Sequence, residues 1–144
     1  MYEHLFNEFL NSSDTLQVYQ DGQLVFSSQK DRLVPLLEYI NRFVPDQQAE
    51  VVFDKIMGNA AALLAIKAGC QEVYSPLGSQ VAVKTLDKYG VKYQLTEIIP
   101  FIQQLDREAM CPMEELSLDK EPEVFYEVMM NMVEKSSIER RGEK

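Results

Sequence analysis

The chain has 144 residues, of which 46% are hydrophobic, and it carries a formal net charge of −9. This length and composition are ordinary for one globular domain with a single core. Binding to nucleic acids or anionic membranes relies on clustered Lys and Arg, whereas the 14 basic residues here are scattered along the sequence. We therefore expect neither nucleic acid nor a membrane as a partner.

The two cysteines, Cys70 and Cys111, are far apart and form no CxxC pair. This pattern is typical of a reducing compartment and provides no disulfide framework. The first residues contain no basic stretch before an apolar run, so no secretory signal is predicted, and no segment approaches the roughly 20 apolar residues of a membrane helix. We expect a cytoplasmic protein.

The N-terminal part of the chain predicts a helix, a hairpin and a second helix. Leu5, Phe6, Phe9 and Leu10 recur at helical spacing, and the polar residues 11–14 end that pattern. The extended runs 15–19 and 24–28 then flank an Asp-Gly pair, which is typical of a tight hairpin turn. The apolar residues between 33 and 43 lie on one helical face, which predicts the second helix.

Strand and helix alternate in the middle of the chain. Short strands are predicted at residues 50–53, 72–74 and 91–95, with helices at 56–68 and 80–89. Gly69 and Gly90 follow the two helices, where glycine is the common C-terminal cap. Such alternation predicts parallel strands, and with the hairpin it predicts a three-layer α/β/α domain with a mixed sheet.

The C-terminal part is less regular. Residues 98–105 are ambiguous because Pro100 interrupts them, and residues 110–114 are predicted to form an ordered loop or turn. A last helix is predicted at 123–134, with an apolar stripe that must be covered by the sheet or by a second subunit. The stripe comprises Val124, Phe125, Val128, Met129, Met132 and Val133. We assign residues 1–134 to one domain and 135–144 to a charged, flexible tail.

Asp54 and Lys55 are the first candidates for a functional site. In open α/β sheets, ligands bind at the carboxyl ends of parallel strands, where helix N-termini offer unpaired amides. Asp54 follows a predicted strand and would be an acid-base or ligand-anchoring group, and Lys55 would be a cation or, when desolvated, an amine nucleophile. A purely structural role for this turn stays open. Aspartate is a common N-cap residue, so Asp54 could simply cap the next helix, and Gly58 could simply let that helix pack closely on the sheet.

Cys111, in the segment Met110-Cys111-Pro112-Met113-Glu114, is the second candidate, as a metal ligand or nucleophile. A half-buried cysteine that shapes a turn is the structural alternative, and it is favoured because no cationic residue is adjacent. His4 is the only histidine and lies on the N-terminal helix, away from the expected ligand edge. We therefore predict no Ser-His-Asp or Cys-His arrangement.

Three segments carry a resemblance to a known family. Residues 54–62 (DKIMGNAAA), 72–74 (EVY) and 110–114 (MCPME) resemble the motifs of the domain of unknown function 1893 family, which is bacterial and uncharacterised. The resemblance covers most of the chain and implies the cytidine deaminase-like fold. Its order of a helix, a hairpin and repeated α-β units is similar to the order of the predicted elements.

Deaminases of that fold hold zinc through a His or Cys two residues before a catalytic Glu, and through a Pro-Cys-x-x-Cys motif. By element order these motifs would fall near residues 27–32 and 54–58, and neither stretch contains a Cys or His. We therefore predict no metal, no cofactor and no deaminase activity. What the resemblance implies is a ligand edge between two helix N-termini, which would be lined by Ser27, Ser28, Arg32, Asp54, Lys55, Gly58 and Asn59.

Two functions of different classes follow, and whether the protein is an enzyme is left open. The first is a protein that binds a small anionic or nucleotide-like molecule at the Asp54-Lys55 edge. The second is a non-catalytic homodimeric scaffold or regulatory protein, which the Met-rich C-terminal helix favours. A redox or metal role for Cys111 is a third possibility.

Overall fold

The computed structural model of the protein describes residues 2–103 and 109–142, and the side chains of that part through residue 133. The helices are α1 (Tyr2–Leu10), α2 (Val34–Phe43), α3 (Asn59–Lys67), α4 (Gln80–Lys88), α5 (Pro112–Ser117) and α6 (Pro122–Gly142). The strands are β1 (Leu16–Gln20), β2 (Gln23–Ser28), β3 (Val51–Asp54), β4 (Glu72–Ser79) and β5 (Lys92–Ile99). Among the described helices, none is both long enough and apolar enough to cross a bilayer.

The five strands form one mixed sheet in the order β2-β1-β3-β4-β5. Strand β1 is antiparallel to β2 and to β3, whereas β3, β4 and β5 are parallel. Asp21 and Gly22 connect β1 and β2 with φ angles of 51° and 77°. Two consecutive positive φ angles suit the twist of a two-residue hairpin, which is why Asp-Gly occurs there. The predicted α/β class, mixed sheet and hairpin are confirmed.

Helices cover both faces of the sheet. On one face, α1 contributes Phe9 to an aromatic cluster with Tyr19, Phe53 and Tyr74. On the other face, the larger core contains Val18 and Val52 together with apolar residues of α2, α3 and α4. Because side chains alternate along a strand, neighbouring residues of β3 enter different cores. All four residues of β3 are accordingly buried.

Helix α3 is the centre of the larger core. Its first seven residues, Asn59 to Ala65, are all buried, which suits a segment made mostly of Ala and Leu. Helices α2 and α4 flank it, and α5 and α6 cover it. The stripe of the last helix is therefore covered partly by α3 rather than by the sheet, since Phe125 and Met129 are buried there whereas Val124, Met132 and Val133 are exposed.

Several element boundaries differ from the prediction. Helix α3 begins at Asn59 rather than at Ile56, because Met57 bridges to Gly78 of β4 in a short parallel contact. Strand β4 continues through Pro76 to Ser79, and β5 continues to Ile99. Residues 112–117 form a helix instead of a loop. Helix α6 continues to Gly142, into the segment predicted to be a tail. Residues 104 and 105 of the ambiguous segment and residues 143 and 144 of the tail lie outside the described part.

Replacing Phe125 by Ala tests the packing of α6 on α3. Phe125 is fully buried, so its truncation should lower the free energy of unfolding by about 3–5 kcal/mol. Val124→Ala on the same helix is the matched control, because Val124 is 45% exposed and its change should stay within about 0.5 kcal/mol. Urea unfolding followed by circular dichroism measures both. Equal effects of the two substitutions would show that α6 does not pack on α3 through Phe125.

Candidate functional site

Asp54 ends β3 at the carboxyl edge of the sheet. Its side chain is 9% exposed, and its Oδ1 accepts a hydrogen bond from the backbone N–H of Ile56 at 3.3 Å. Burial raises the pKa of Asp54 from 3.8 to about 7, while the backbone N–H groups of Ile56 and Lys55 partly oppose that rise. A carboxyl group that titrates near neutral pH has the property expected of a general acid or base.

Lys55 points away from Asp54. Its Nζ donates to the backbone carbonyl of Ser12 at 3.0 Å and lies 4.8 Å from the centre of the Phe9 ring. Both contacts are with α1 and the residues that follow it, on the face of the sheet opposite the larger core. The structure therefore does not bring the Asp54 carboxyl and the Lys55 amine together. Lys55 tethers the end of α1 to the sheet.

The structure does not place all three of the other predicted ligand residues, Ser27, Ser28 and Arg32, on the side of the sheet that Asp54 faces. The register aligns Ser28 with Leu16 and Leu16 with Asp54, so Ser28 and Asp54 face the same side two strands apart, at about 10 Å between backbones. The Ser28 hydroxyl accepts from the backbone N–H of Lys30 at 3.1 Å. Ser27 and Arg32 are exposed, and Ser27 faces the opposite side by strand alternation. Of these three residues, only Ser28 shares a sheet face with Asp54.

Gly58 lies against a buried carboxylate that the sequence reasoning missed. Glu114 of the MCPME segment is 2% exposed, and its Oε1 accepts from the backbone N–H of Ala60 in the first turn of α3 at 3.1 Å. Its Oε2 accepts from the hydroxyl of Ser79 at 3.1 Å, and that hydroxyl in turn caps α4 by accepting from Ala82 N–H at 3.0 Å. A Cβ at Gly58 would lie 2.8 Å from Glu114 Oε1. Gly58 therefore permits the carboxylate to reach the N-termini of two helices.

Asn59 continues this network toward the surface. Its Nδ2 donates to the carbonyl and to the hydroxyl of Ser117 at 3.2 and 2.9 Å, which fixes the end of α5. Its Oδ1 accepts from the hydroxyl of Thr85 on α4. A buried amide that is saturated in this way holds its neighbours in place. Two of the three segments that carry the family resemblance, residues 54–62 and 110–114, thus meet in one polar network.

Cys111 is half-buried at the N-cap position of α5, and its side chain makes no capping hydrogen bond there. Its backbone N–H donates to the Ile102 carbonyl at 2.8 Å, and its carbonyl accepts from Glu115 N–H at 2.9 Å. Cys70 is buried, and desolvation raises the pKa of its thiol to about 12. Over residues 2–103 and 109–133, no three His, Cys, Asp or Glu side chains group closely enough to hold a metal ion.

A groove of about 410 Å³ opens beside Asn59, between α4 and the connection from α5 to α6. We call it the lysine groove, because Lys84 and Lys88 line one wall and Lys120 lines the other. Its remaining side chains are Asn59, Val81, Thr85, Tyr89, Leu118, Asp119 and Glu121. Neither Asp54 nor Lys55 lines it. A second groove of about 380 Å³ runs along β5 beside Phe6, and those two residues are absent from its lining as well.

One wall of the lysine groove could have been predicted from the sequence. Lys84 and Lys88 are four residues apart, a spacing that places both on one face of a helix. Lys120 is remote in sequence and reaches the same groove only because α5 packs on α3. Glu114 had a comparable signal, since it belongs to the MCPME segment, although its partners at Ala60 and Ser79 follow only from the fold.

Asp54→Asn tests the raised pKa of the buried carboxyl. The folded chain binds the Asp54 proton more tightly than the unfolded chain, so the wild type should lose stability as pH rises from about 4 to about 7. The variant lacks this titration. Its free energy of unfolding, relative to that of the wild type, should therefore increase by up to about 4 kcal/mol between pH 4 and pH 8. Urea unfolding across that range measures the difference, and a difference that is independent of pH would contradict the assignment.

Comparison with known proteins identifies the family. Residues 5–133 match the model of the domain of unknown function DUF1893. Among solved structures, the chain is similar to a DUF1893 family protein from Thermotoga maritima, with a TM-score of 0.80 and 28% sequence identity over 90% of this chain and 88% of that one. No curated protein matches the chain. The family match spans most of the sequence, and the chain belongs to the DUF1893 family.

Proposed function

We propose that the protein binds a small anionic molecule in the lysine groove. The observation that carries this proposal is the convergence of Lys84, Lys88 and Lys120 on one groove in a chain of net charge −9. Lysine ammonium groups on opposite walls of a concave site attract phosphate or carboxylate groups. Ligand binding would be the function, and no chemical step is required of these residues.

The charges of the three lysines are not neutralised by ion pairs. Within the part of the chain whose side chains are described, no carboxylate oxygen lies within 4.0 Å of Lys84, Lys88 or Lys120. Two lysines four residues apart on a helix repel each other mildly, and an anion bound between them would offset that repulsion.

The other groove residues suggest that the ligand also carries a ring and hydrogen-bond donors. Tyr89 is 37% exposed at the groove, and Lys88 Nζ lies 5.4 Å from the centre of its ring. A planar group of the ligand would stack on this ring beside the cation or in its place. Asp119 and Glu121 line the groove as acceptors and would receive hydroxyl or amino groups of a ligand. An anion, a planar ring and donor groups together describe a nucleotide-like molecule.

The Asp54-Lys55 edge stays a prediction as the location of the ligand. We favour the lysine groove because three lysines line one concave space, whereas Lys55 points away from Asp54. Lys120 Nζ donates to the backbone carbonyl of Leu116, and a bound anion would compete with that carbonyl for the ammonium group. Asn59 belongs to both candidate locations. The cytidine deaminase-like fold is likewise proposed, and what supports it is the order of helix, hairpin and two β-α-β units in the sheet β2-β1-β3-β4-β5.

Binding of pyrophosphate, AMP and CMP tests the lysine groove. At least one of these anions should raise the melting temperature of the wild type, and the effect should weaken with added salt because it is electrostatic. Lys84→Gln and Lys88→Gln should each raise the Kd by about ten-fold or more, since each removes a charged hydrogen-bond donor. Thermal shift and isothermal titration calorimetry give the two readouts.

Lys92→Gln on β5 is the matched control, because Lys92 is exposed and does not line the groove. It makes the same change of charge and should leave the Kd within about two-fold, as expected for a distant surface charge at moderate salt. The proposal fails if none of the three anions binds. It also fails if the groove variants bind as the control does.

A homodimeric scaffold is the second candidate function. The observation that favours it is the exposure of Val124 and Met132 on α6, at 45% and 43%, with Val128 between them on the same helical face. Exposed apolar residues that continue along one helix are typical of an interaction surface. A second copy of the chain would bury them.

Met132→Glu tests this surface. If the protein is a dimer through α6, this charge at the interface should convert it to a monomer in multi-angle light scattering at micromolar concentration. Asn7→Glu is the control, because Asn7 is exposed on α1, which packs on the face of the sheet opposite to α6, and it should leave the dimer intact. A wild type that is monomeric at all concentrations tested would exclude the scaffold.

A further inference from the structure

We infer that docking of α5 through Glu114 is coupled to anion binding in the lysine groove, so that the MCPME segment controls whether the site is assembled. This inference rests on the proposed function. It assigns Glu114 a positioning role, because its carboxylate is 2% exposed and does not line the groove.

The groove has two walls that come from different parts of the chain. Lys84 and Lys88 belong to α4, whereas Lys120 lies in the connection that leaves α5. An anion that contacts all three lysines must span both walls. The distance between the walls therefore depends on how α5 sits against α3 and α4.

Glu114 and Asn59 set that position. Glu114 connects α5 to both helices at once, through Ala60 N–H of α3 and the Ser79 hydroxyl at the start of α4, each at 3.1 Å. Asn59 connects the end of α5 to α3 through Ser117 at 2.9 Å and is itself a groove residue. The same amide accepts from Thr85 on the α4 wall. The contacts that dock α5 thus continue without interruption into the groove.

The consequence is a thermodynamic linkage. If the groove is complete only when α5 is docked, a ligand binds the docked state more tightly and shifts the equilibrium toward it. Because the apparent Kd equals the Kd of the docked state divided by the docked fraction, a change that lowers this fraction weakens ligand binding in proportion. Glu114 therefore affects the affinity without touching the ligand.

Glu114→Gln tests the coupling, with pyrophosphate as the probe. The substitution keeps the shape of the side chain and one carbonyl oxygen, but it removes the negative charge at the N-termini of α3 and α4. The Kd for pyrophosphate should rise by about five-fold or more, the lower end of typical coupling between two sites. Phe9→Leu is the control for general destabilisation, because Phe9 is buried on the opposite face of the sheet and should leave the Kd unchanged.

Hydrogen exchange of the wild type gives a second readout that needs no variant. Saturating pyrophosphate should slow amide exchange in residues 113–118 of α5 and its C-cap, and the exchange of β1 and β2 should not change. This measurement decides the matter if Glu114→Gln fails to fold. Slower exchange in α5 supports the coupling, and unchanged exchange overturns it.

The outcomes separate the two proposals. If the wild type binds pyrophosphate and Glu114→Gln binds it equally well, the coupling is overturned while the binding function stands. If Phe9→Leu weakens binding as much as Glu114→Gln does, the effect is general destabilisation and the coupling is again overturned. If the wild type binds none of the three anions, the binding function fails, and the coupling fails with it.

Discussion

The buried carboxylate of Glu114 is the constraint around which the C-terminal half of the fold is arranged. A charged group that is 2% exposed is costly unless its oxygens are paired, and here the two oxygens accept from the first turn of α3 and from the cap of α4. Positive helix ends stabilise negative charge. One side chain thus pairs directly with an amide of α3 and holds the Ser79 cap of α4, from positions 54 and 35 residues away in sequence.

Close approach to that carboxylate explains the small residues that open α3. The Glu114 carboxylate lies so close to Gly58 that a Cβ there would clash with it. The small Ala residues that follow let α3 lie between the sheet and the other helices. Asn59 is the one polar side chain among them, and it is fully paired with Ser117 and Thr85. The residues that first suggest a ligand site at this turn are in large part the internal contacts of the protein.

The hairpin and the alternating strands and helices could be predicted because their signals are local. Asp21 and Gly22 determine a turn by their own φ preferences, and the alternation of apolar runs defines the β-α-β units. The direction of the Lys55 side chain and the position of α5 could not be predicted from the sequence, because both depend on tertiary contacts. Lys55 follows Asp54 directly, and only its contacts with Ser12 and Phe9 show that the two side chains diverge. Helix α5 is short and obtains its order from Glu114 and Ser117 rather than from its own propensity.

The net charge of the chain bears differently on extended and on small anionic partners. A charge of −9 argues against polyanions such as nucleic acid, because an extended partner meets the whole surface. A small anion meets only the field inside one groove, within about a Debye length of 8–10 Å. There the fold gathers Lys84, Lys88 and Lys120 from two distant segments. An acidic composition is therefore compatible with a small anionic ligand, as proposed for this groove.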